Sequence, residues 1–596
     1  MSGQETQFNL REFNAKIVSL GSHPGIIQSM LDYAYCIGIE RPNIVGIIGS
    51  GRKLERYFWG EKEITIKVYK SLVSLPSDIK EEINCVLNVQ SARRVLSSIS
   101  EAMEELPNLK IATIFAEQVP ELHSIKIAEL AKEKNIIIAG PASVGVLIPG
   151  VMKLGAIGGT RYPQLVKAGI FSPGNTAVVS TSGGMVNELI HTVTGNNRGV
   201  SFAIALGGDR YPITTPADAF LMAENDPDTK QIVYFGELGG DDEYVLADLI
   251  KQGKVTKRVI AYIAGTVAEL FKEPPQFGHA KAMAQNHEET ATAKKDALKG
   301  VGATVIDVFE DLGPEIVKNS EGNHMDNDHK PINDRHKSLI LSHISGDVEG
   351  DVRVLNKDLL QLVEDNTLAS LYISMLLGTQ VSSQKLIDFT DYVLRLLVDH
   401  GPYVAGAVNT IISARAGKDL ASSLTTGLLT IGPRFGGAIN AGADAWLRGV
   451  TTKADPKDFV GTFASSGGII PGIGHKKYRI DTPDPRVSIL TEKFTNNTNG
   501  DRYLKFAKEI EAITTAKKGN LILNVDGTIA AIMLDIIESE LGYTYDQLQE
   551  LIDIEFFNAI FILGRSAGFI SHYLDQRRND EGLLRLSDEE ISYIPE

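Results

Sequence analysis

Short apolar runs alternate with amphipathic stretches over roughly the first half of the chain. Each run is continuously hydrophobic, and most are followed by Gly, Ser or Pro, which is typical of strands covered on both faces of a parallel sheet. The stretches between them favour helices, so the pattern predicts a doubly wound α/β architecture. The predicted strands are residues 15–20, 43–49, 85–89, 111–116, 135–140, 176–180, 231–236 and 258–265.

Two segments interrupt this pattern. Residues 146–175 are rich in Gly and Pro, and we expect a domain boundary there. Residues 319–336 are almost wholly polar and have no period, which predicts a solvated linker. The linker contains His324, His329 and His336, but a metal site is the less favoured interpretation because the segment offers no rigid ligand geometry.

Beyond residue 337, apolar residues recur with helical spacing and β-branched runs are few, so the second half is predicted to be mainly α. A chain of 596 residues also exceeds what one hydrophobic core usually spans. The predicted domains are 1–148, 149–318 and 337–596, with 319–336 as the linker.

Composition narrows the class of protein. The net charge of −16 argues against a nucleic-acid backbone as the main partner. The two cysteines, Cys36 and Cys85, have no paired spacing, which fits a reducing compartment. The first residues lack the pattern of a signal peptide, and no apolar run approaches the about 20 residues of a membrane helix. We therefore expect a soluble, cytoplasmic protein without nucleic-acid or membrane partners.

Two glycine-containing turns follow predicted strands and open helices. Gly21 and Gly25 lie in the first βα turn, and Ser182, Gly183 and Gly184 lie in a later one. Glycine lets backbone N–H groups approach a phosphate at a helix N-terminus. Ordinary turn chemistry explains such sequences as well, so each turn alone is a weak signal.

Two further residues favour phosphoryl chemistry. Glu237 directly follows a buried strand, at the usual functional edge of an α/β sheet, and His279 lies in a loop before a long helix. A neutral imidazole is a competent nucleophile for a phosphoryl group, and a carboxylate can orient it. A structural role is the alternative for a single loop histidine.

The order of the segments STSGGMVNEL, GELGG and FGHAKA resembles the α subunit of succinyl-CoA synthetase over about residues 13–318. It is closer still to the ATP-citrate lyase family, which also carries the GGDRYP pattern seen at Gly207–Pro212. The resemblance implies a Rossmann-like CoA-binding domain followed by a flavodoxin-like ligase domain.

The same resemblance implies roles for individual residues. His279 would carry the phosphoryl group, and Glu237 would steady it. The family's usual loop is GHAGA, whereas this chain has Lys281 in place of the second glycine. Lysine could neutralise phosphohistidine or restrict the loop. The residues implied to bind CoA or phosphate in this half are Gly21, Ser182, Gly183 and Gly184.

The mainly α half contains a set of residues suited to breaking a carbon–carbon bond in a β-hydroxy thioester. That reaction needs a base for the hydroxyl proton, an acid for the departing enolate, and cations for carboxylates. Arginine suits the last task because its fork binds carboxylates bidentately. The candidates are His400, His475, Asp526, Arg486 and Arg565.

Their order and spacing resemble the citrate synthase fold as used in the ATP-citrate lyase family, over about residues 340–595. The resemblance implies that His400 binds the citryl hydroxyl or the oxaloacetate end, that His475 exchanges the hydroxyl proton, and that Asp526 protonates the acetyl-CoA enolate. The residues implied to hold carboxylates are Arg486, Arg565 and Arg585, the last in a neighbouring subunit's site. Arg479 is implied to contact a CoA phosphate.

One departure separates the chain from ordinary citrate synthases. Those enzymes have a GPLHG-type segment whose histidine polarises the acetyl-CoA carbonyl, whereas this chain has GPRFGG with Phe435. Phenylalanine cannot donate a hydrogen bond. The difference favours the lyase branch.

The resemblance also implies partners and cofactors. The chain has no GxxxxGK[ST] loop and no segment resembling an ATP-grasp domain. We therefore expect coenzyme A on this chain, and ATP and Mg²⁺ mainly on a succinyl-CoA synthetase β-like ATP-grasp subunit. The expected assembly is a dimer or tetramer of this chain through its citrate synthase-like domain, giving α4β4 with the partner. The alternatives are a stand-alone citryl-CoA lyase or citrate synthase, and a non-catalytic assembly subunit.

Overall fold

The structure, a computed structural model, describes residues 11–271, 275–276, 279, 281–318, 328–348, 350–432, 435–495 and 501–595. The chain divides into two compact units, Met1–Leu339 and Ile340–Glu596. The first unit is α/β and the second is mainly helical. The predicted fold class is therefore confirmed.

The first unit begins with a seven-stranded sheet in the order β3-β4-β2-β1-β5-β6-β7. Its strands pair in parallel except for the β3–β4 hairpin. That hairpin was not predicted. The strands are β1 (Ile17–Leu20), β2 (Ile44–Ile48), β3 (Leu54–Trp59), β4 (Lys62–Tyr69), β5 (Cys85–Asn88), β6 (Ile111–Ile114) and β7 (Ile137–Ala139).

A second seven-stranded sheet follows, in the order β14-β13-β12-β10-β11-β8-β9. β8 and β9 are antiparallel additions at one edge, and the other pairings are parallel. The strands are β8 (Gly145–Ile148), β9 (Met152–Gly155), β10 (Thr176–Ser180), β11 (Val200–Ala205), β12 (Gln231–Glu237), β13 (Arg258–Ala264) and β14 (Thr304–Ile306). Because β8 belongs to this sheet, the change of sheet comes before the expected boundary at residue 148.

Helices cover both sheets. Every residue of β10, β11 and β12 is buried. The apolar runs predicted β10 and β12 as strands covered on both faces, whereas β11 was not predicted. The helices are α1 (Pro24–Cys36), α2 (Ser77–Glu82), α3 (Ala92–Glu105), α4 (Glu121–Lys134), α5 (Tyr162–Ala168), α6 (Gly183–Gly195), α7 (Pro216–Asn225), α8 (Asp242–Lys251), α9 (Ala291–Gly300) and α10 (Leu312–Val317). Short 3-10 helices span Thr266–Leu270, His287–Glu289 and Phe309–Asp311.

The described part of the expected linker, from residue 328, is held against the first unit. The guanidinium of Arg335 pairs with the buried Asp32 at 2.5 Å and also donates to the carbonyl oxygen of Gly60. The ring of His329 stacks on Phe171, with ring centroids 4.5 Å apart. Most of the described linker residues are exposed, as expected for a solvated segment, while charge pairing and stacking hold Arg335 and His329 in place. Residues 319–327, with His324, lie outside the described residues.

The second unit is built from helices around one buried helix, α20. Twelve of the 17 residues of α20 are buried and most of these are apolar, as expected for a helix with neighbours on several sides. The helices are α11 (Leu359–Asp365), α12 (Leu368–Leu377), α13 (Gln384–Leu397), α14 (Ala405–Arg415), α15 (Leu420–Leu428), α16 (Ala438–Thr451), α17 (Pro456–Ser465), α18 (Pro485–Phe494), α19 (Arg502–Lys517), α20 (Val525–Leu541), α21 (Tyr545–Asp553) and α22 (Phe556–Asn579).

Smaller elements complete this unit. They are the antiparallel strands β15 (Ser345–Val348), β16 (Asp351–Val354) and β17 (Lys357–Asp358), and a 3-10 helix at Asp588–Glu590. Within the described ranges, no single helix has the length and apolarity to cross a membrane, although the bent pair α21–α22 passes on those two criteria together.

Candidate active sites

His279 and Glu237 meet at the carboxyl end of β12. The Nδ1 atom of His279 lies 3.0 Å from both carboxylate oxygens of Glu237. An ionised carboxylate only accepts hydrogen bonds, so Nδ1 carries the proton and Nε2 keeps its lone pair. About a third of the His279 side chain is exposed, while Glu237 is largely buried. The pair therefore presents an oriented, accessible nucleophile.

Two glycine backbones confine the His279 segment. A side chain at Gly208, in the turn after β11, would collide with the His279 ring. A side chain at Gly239 would collide with the carbonyl oxygen of Lys281, and Gly239 also has a positive φ of 88°. Glycine is required where backbones approach this closely. The GGDRYP and GELGG turns thus form the surface on which the histidine rests.

Acidic groups surround the His279 ring. The hydrogen bond with Glu237 raises the pKa of His279 above its usual value, against the effect of burial. The charges of Glu117 and Asp209 act in the same upward direction. Asp209 accepts a hydrogen bond from the backbone N–H of Val119, and its burial raises its own pKa. Sequence reasoning missed Glu117 and Asp209, although Asp209 lies within the GGDRYP pattern.

Lys281 pairs with Asp242, the first residue of α8. Its side chain lies over Gly240, where a Cβ atom would come within 2.6 Å of the lysine Cε. The ammonium is therefore engaged by the segment that follows Glu237. Of the two roles left open for this residue, the contact favours restriction of the loop.

The two predicted phosphate cradles lie at the ends of central strands of different sheets. Gly21 follows β1 with a φ of 94°, and its N–H donates to the carbonyl oxygen of Ile48. Ser182 caps α6 by accepting a hydrogen bond from the N–H of Met185. A Cβ atom at Gly183 would approach Val144 within 2.8 Å, whereas Gly184 faces open space. Each turn precedes a helix N-terminus, and phosphate binding at either turn stays a prediction.

In the second unit, the structure brings together five predicted residues. The charges of Arg486 and Arg565 both act on His400 and on Asp526, and Arg486 also acts on His475. Burial raises the pKa of Asp526 to about 6, against the opposing effect of the two arginines. Asp526 therefore has a pKa at which a carboxyl group can hold and release a proton near neutral pH.

Both histidines of this cluster favour the neutral form. Burial, followed by the charges of Arg486 and Arg565, lowers the pKa of His400. Burial also lowers the pKa of His475, with Asp484 opposing the shift and Arg486 adding to it. Each imidazole is thus uncharged near neutral pH.

The tautomer of His475 is fixed by its own loop. Its Nδ1 atom accepts hydrogen bonds from the backbone N–H groups of Lys477 at 3.0 Å and Tyr478 at 2.9 Å. The ring proton therefore resides on Nε2, which is a donor. The role of His475 in exchange of the hydroxyl proton stays a prediction, and this geometry gives the ring a donor at Nε2 for it.

A close contact joins the loop before His475 to the first turn of α20. Gly472 and Gly527 touch so closely that a Cβ atom on Gly527 would lie 2.6 Å from the carbonyl oxygen of Gly472. The backbone N–H of His475 donates to the carbonyl oxygen of Asn520 at 3.0 Å. The loop before His475 is thereby held against the N-terminus of α20, which carries Asp526.

The two central arginines have different partners. Asp484 binds the guanidinium of Arg486 in bidentate fashion, at 3.0 Å and 2.7 Å, and also caps α18. The Nε atom of Arg565 donates to the carbonyl oxygen of Leu397 at 2.9 Å. The bond anchors the turn that leads to His400. Asp484 was missed, although an aspartate before Pro485 is a readable sign of a helix start.

The turn that carries His400 is further anchored on α22. Asp399 accepts hydrogen bonds from the N–H of Gly401 at 2.9 Å and from His572 at 3.0 Å. These bonds lower the pKa of Asp399 although burial opposes the shift. A side chain at Gly568 would collide with the carbonyl oxygen of Val398. α22 therefore positions both Arg565 and His400.

Three other predicted positions lie around or outside this cluster. Phe435 packs edge-to-face on Phe561, with ring centroids 6.0 Å apart, and the Arg565 guanidinium lies 4.9 Å from the Phe561 ring centre. Arg479 is mostly exposed and lines a cavity of about 340 Å³ together with Lys508. Arg585 is exposed in the segment after α22, so its role in a neighbouring subunit stays a prediction.

Comparison with known proteins finds a matching family model in each half of the chain. The CoA-ligase family model matches residues 179–304, and the model of the citrate synthase C-terminal domain matches residues 350–587. The fold and sites thus define a CoA-ligase joined to a citrate synthase-like domain. Two relatives match nearly the whole chain, each at 36% identity: probable ATP-citrate synthase subunit 1 of Neurospora crassa and ATP-citrate synthase of Homo sapiens. The chain belongs to the ATP-citrate synthase family, also called ATP-citrate lyases, and is an enzyme.

The extent of these matches differs. The alignment covers 96% of this chain and 88% of the Neurospora protein, but 98% of this chain and 54% of the human protein. A solved structure of ATP citrate lyase from Methanothrix soehngenii, in complex with citrate and coenzyme A, is 34% identical with a TM-score of 0.51. That match covers 99% of this chain and 98% of the archaeal chain.

Proposed function

We propose that this chain both forms and cleaves citryl-CoA, in a reaction that converts citrate, ATP and coenzyme A to acetyl-CoA, oxaloacetate, ADP and phosphate. The proposal rests on two sites in one chain: one raises the pKa of its histidine, and the other lowers the pKa values of its two histidines. His279 is paired with a carboxylate, and Asp526 lies among neutral histidines and arginines. The archaeal relative described with citrate and coenzyme A supports the choice of substrates.

In the first step, the Nε2 atom of His279 accepts the terminal phosphoryl group of ATP, which would be held by the partner, and ADP is the leaving group. Glu237 holds the Nδ1 proton and balances the positive charge that develops on the ring. His279 then passes the group to a citrate carboxylate, which yields citryl phosphate. Coenzyme A supplies the thiol that replaces phosphate to form the thioester. The turns at Gly21 and Ser182 have the shape to hold its phosphates.

In the second step, the residues of the second unit break the carbon–carbon bond of citryl-CoA. Arg486 and Arg565 hold the carboxylates, and the Nε2–H of His475 donates to the tertiary oxygen. Neutral His400 takes the hydroxyl proton, a carbonyl forms, and the bond electrons move onto the acetyl-CoA enolate. Protonated Asp526 then delivers its proton to the enolate carbon.

The proposal includes a partner. We assign ATP and Mg²⁺ mainly to a succinyl-CoA synthetase β-like ATP-grasp subunit, in a cytoplasmic α4β4 assembly built on dimers or tetramers of this chain. The human relative, of which this chain spans about half, supports a further module in the complete reaction.

The test separates the two sites. The purified chain should cleave supplied citryl-CoA, and it should need the ATP-grasp partner to consume citrate and ATP. The variant His279→Ala should abolish the ATP-dependent reaction and spare citryl-CoA cleavage, because the two sites lie in different units. Loss of both activities in a folded variant, or ATP-dependent activity without a partner, would contradict the proposal.

A further inference from the structure

A fully buried ion pair lies beneath the turn that carries Glu237. The ammonium of Lys294, on α9, is 2.6 Å from the carboxylate of Glu243, on α8, and their side chains are 1% and 2% exposed. The hydroxyl of Tyr234, on β12, donates to the same carboxylate at 2.8 Å. Burying two charges costs several kcal/mol per ion, about as much as their attraction returns. Stability alone therefore does not explain the pair.

The ammonium also binds the turn itself. Lys294 donates to the carbonyl oxygen of Glu237 at 2.9 Å and to that of Gly239 at 2.6 Å. A side chain at Gly236 would collide with the Glu243 carboxylate, so the end of β12 lies directly on the pair. One buried cation thus fixes the backbone on both sides of Leu238.

We propose that Lys294 is a positioning residue for the His279 site, and that Glu243 and Tyr234 hold Lys294 in place. The contacts form one chain, from Tyr234 through Glu243 and Lys294 to the backbone of Glu237. From there the Glu237 carboxylate reaches Nδ1 of His279. The catalytic consequence rests on the function proposed above, whereas the geometric consequence does not.

The expected effect follows from the position of the Glu237 carboxylate. Without Lys294, two carbonyl groups lose their buried donor, and the turn rearranges to satisfy them. A displacement of about 1 Å at a reacting group typically costs on the order of 10²-fold in rate. The groups whose charge raises the pKa of His279 are Glu237, Glu117 and Asp209. Of these, Glu237 alone is attached to this turn, so its withdrawal should lower that pKa.

The test is a site-resolved titration of His279 in the full-length chain. Diethylpyrocarbonate reacts with neutral imidazole, and mass spectrometry measures the rate at which His279 is modified at each pH. In the wild type the midpoint should lie above the ordinary value of 6.5, and in Lys294→Met it should move down to or below that value. The matched control is Lys295→Met, the same change at the next residue, whose ion pair is with the exposed Asp307. Its midpoint should not move.

A second variant guards against a folding defect. In Lys294→Met with Glu243→Leu, both charges are removed, so no unpaired buried charge remains to destabilise the fold. This double variant should fold, should still show the lowered midpoint, and should lose ATP-dependent activity on the order of 10²-fold with citryl-CoA cleavage retained. An unchanged midpoint in either folded variant would overturn the proposal. The titration involves no phosphoryl transfer, so it tests the positioning role without the proposed function. Failure of the proposed function would show separately, as full ATP-dependent activity in His279→Ala.

Discussion

The two candidate sites use the same side chain in opposite electrostatic settings. A carboxylate raises the pKa of His279, while burial and arginines lower the pKa of His400 and His475. The first setting yields a basic nitrogen that can carry a charged group. The second yields neutral rings among cations, which suits a substrate that brings its own carboxylates.

The neighbours of a histidine, more than the histidine itself, therefore define its chemistry. Glu237 is acceptor-only and so leaves Nε2 of His279 as a base. Two backbone N–H groups do the reverse at His475, where Nε2 becomes a donor. Residue type alone does not distinguish these cases.

The largest expected effect comes from removing the proposed acid of the second site. In the variant Asp526→Asn, asparagine has the same side-chain shape as Asp526, but its amide has no acidic proton to deliver. Cleavage of supplied citryl-CoA should fall about 10³-fold, within the usual range for general acid catalysis. Release of oxaloacetate measures it. Phosphorylation of His279 in the presence of the partner should be unaffected, and full cleavage activity would refute the assignment.

The corresponding change at the first site is Glu237→Gln. It removes the charge that holds the Nδ1 proton, so the pKa of His279 should fall toward 6.5 and the ATP-dependent rate should drop about 10²-fold. Steady-state kinetics with the partner present measure the rate. Citryl-CoA cleavage serves as the internal control, and an unchanged ATP-dependent rate would remove Glu237 from the mechanism.

The two sites should also differ in their response to pH. Asp526 must be protonated to act, and its pKa is raised to about 6, so the acid form is present below that pH and is lost above it. The kcat of citryl-CoA cleavage should therefore decline with rising pH, approaching about tenfold per unit. Burial lowers the pKa values of His400 and His475, which moves their deprotonation toward lower pH, away from the decline expected of Asp526 at higher pH. A flat profile between about pH 6 and 8 would contradict this acid role.

The smallest effect is expected at Lys281, which pairs with Asp242. Replacing it with glycine, the residue of the family's usual loop, removes the pair with Asp242 and should reduce the ATP-dependent rate about 3- to 5-fold, the worth of a partly buried ion pair. Asp242→Asn should have an effect of the same size, and the double variant should be no worse than either. Additive losses would show that the two residues act separately.

Strands buried on both faces were the most predictable part of the fold. The eight predicted runs all form strands, as expected for short continuous apolar sequences inside a covered sheet. The equally buried β11 was not among the predicted runs. The β3–β4 hairpin was missed because its residues are largely half-exposed and mix polar with apolar side chains. β8 and β9 were missed because their Gly-rich sequence indicated a boundary, whereas they add an edge to the second sheet.

The candidate catalytic residues were recognised through family motifs, but their supports were not. The helix-start pattern at Asp484 does not reveal its pairing with Arg486, and Asp399 and Lys294 have no local pattern that distinguishes them from surface charges. Each acquires its role from a partner that the fold supplies, respectively Arg486, His572 and the carbonyl groups after β12. Such contacts depend on side-chain direction across elements, which spacing along the chain does not encode.

The backbone bonds to His475 have a consequence for discrimination between ligands. Because Nδ1 is already occupied twice, the ring can take a second proton only by giving up both bonds. Nε2 therefore remains a hydrogen-bond donor. Its partner must be an oxygen or another atom with a lone pair. An analogue with a methylene or ammonium group at the tertiary position would leave that donor unpaired, a mismatch that can cost about 10⁴-fold in selectivity. In the cleavage that we propose, the two peptide N–H groups would therefore favour an oxygen at the position where the carbon–carbon bond breaks.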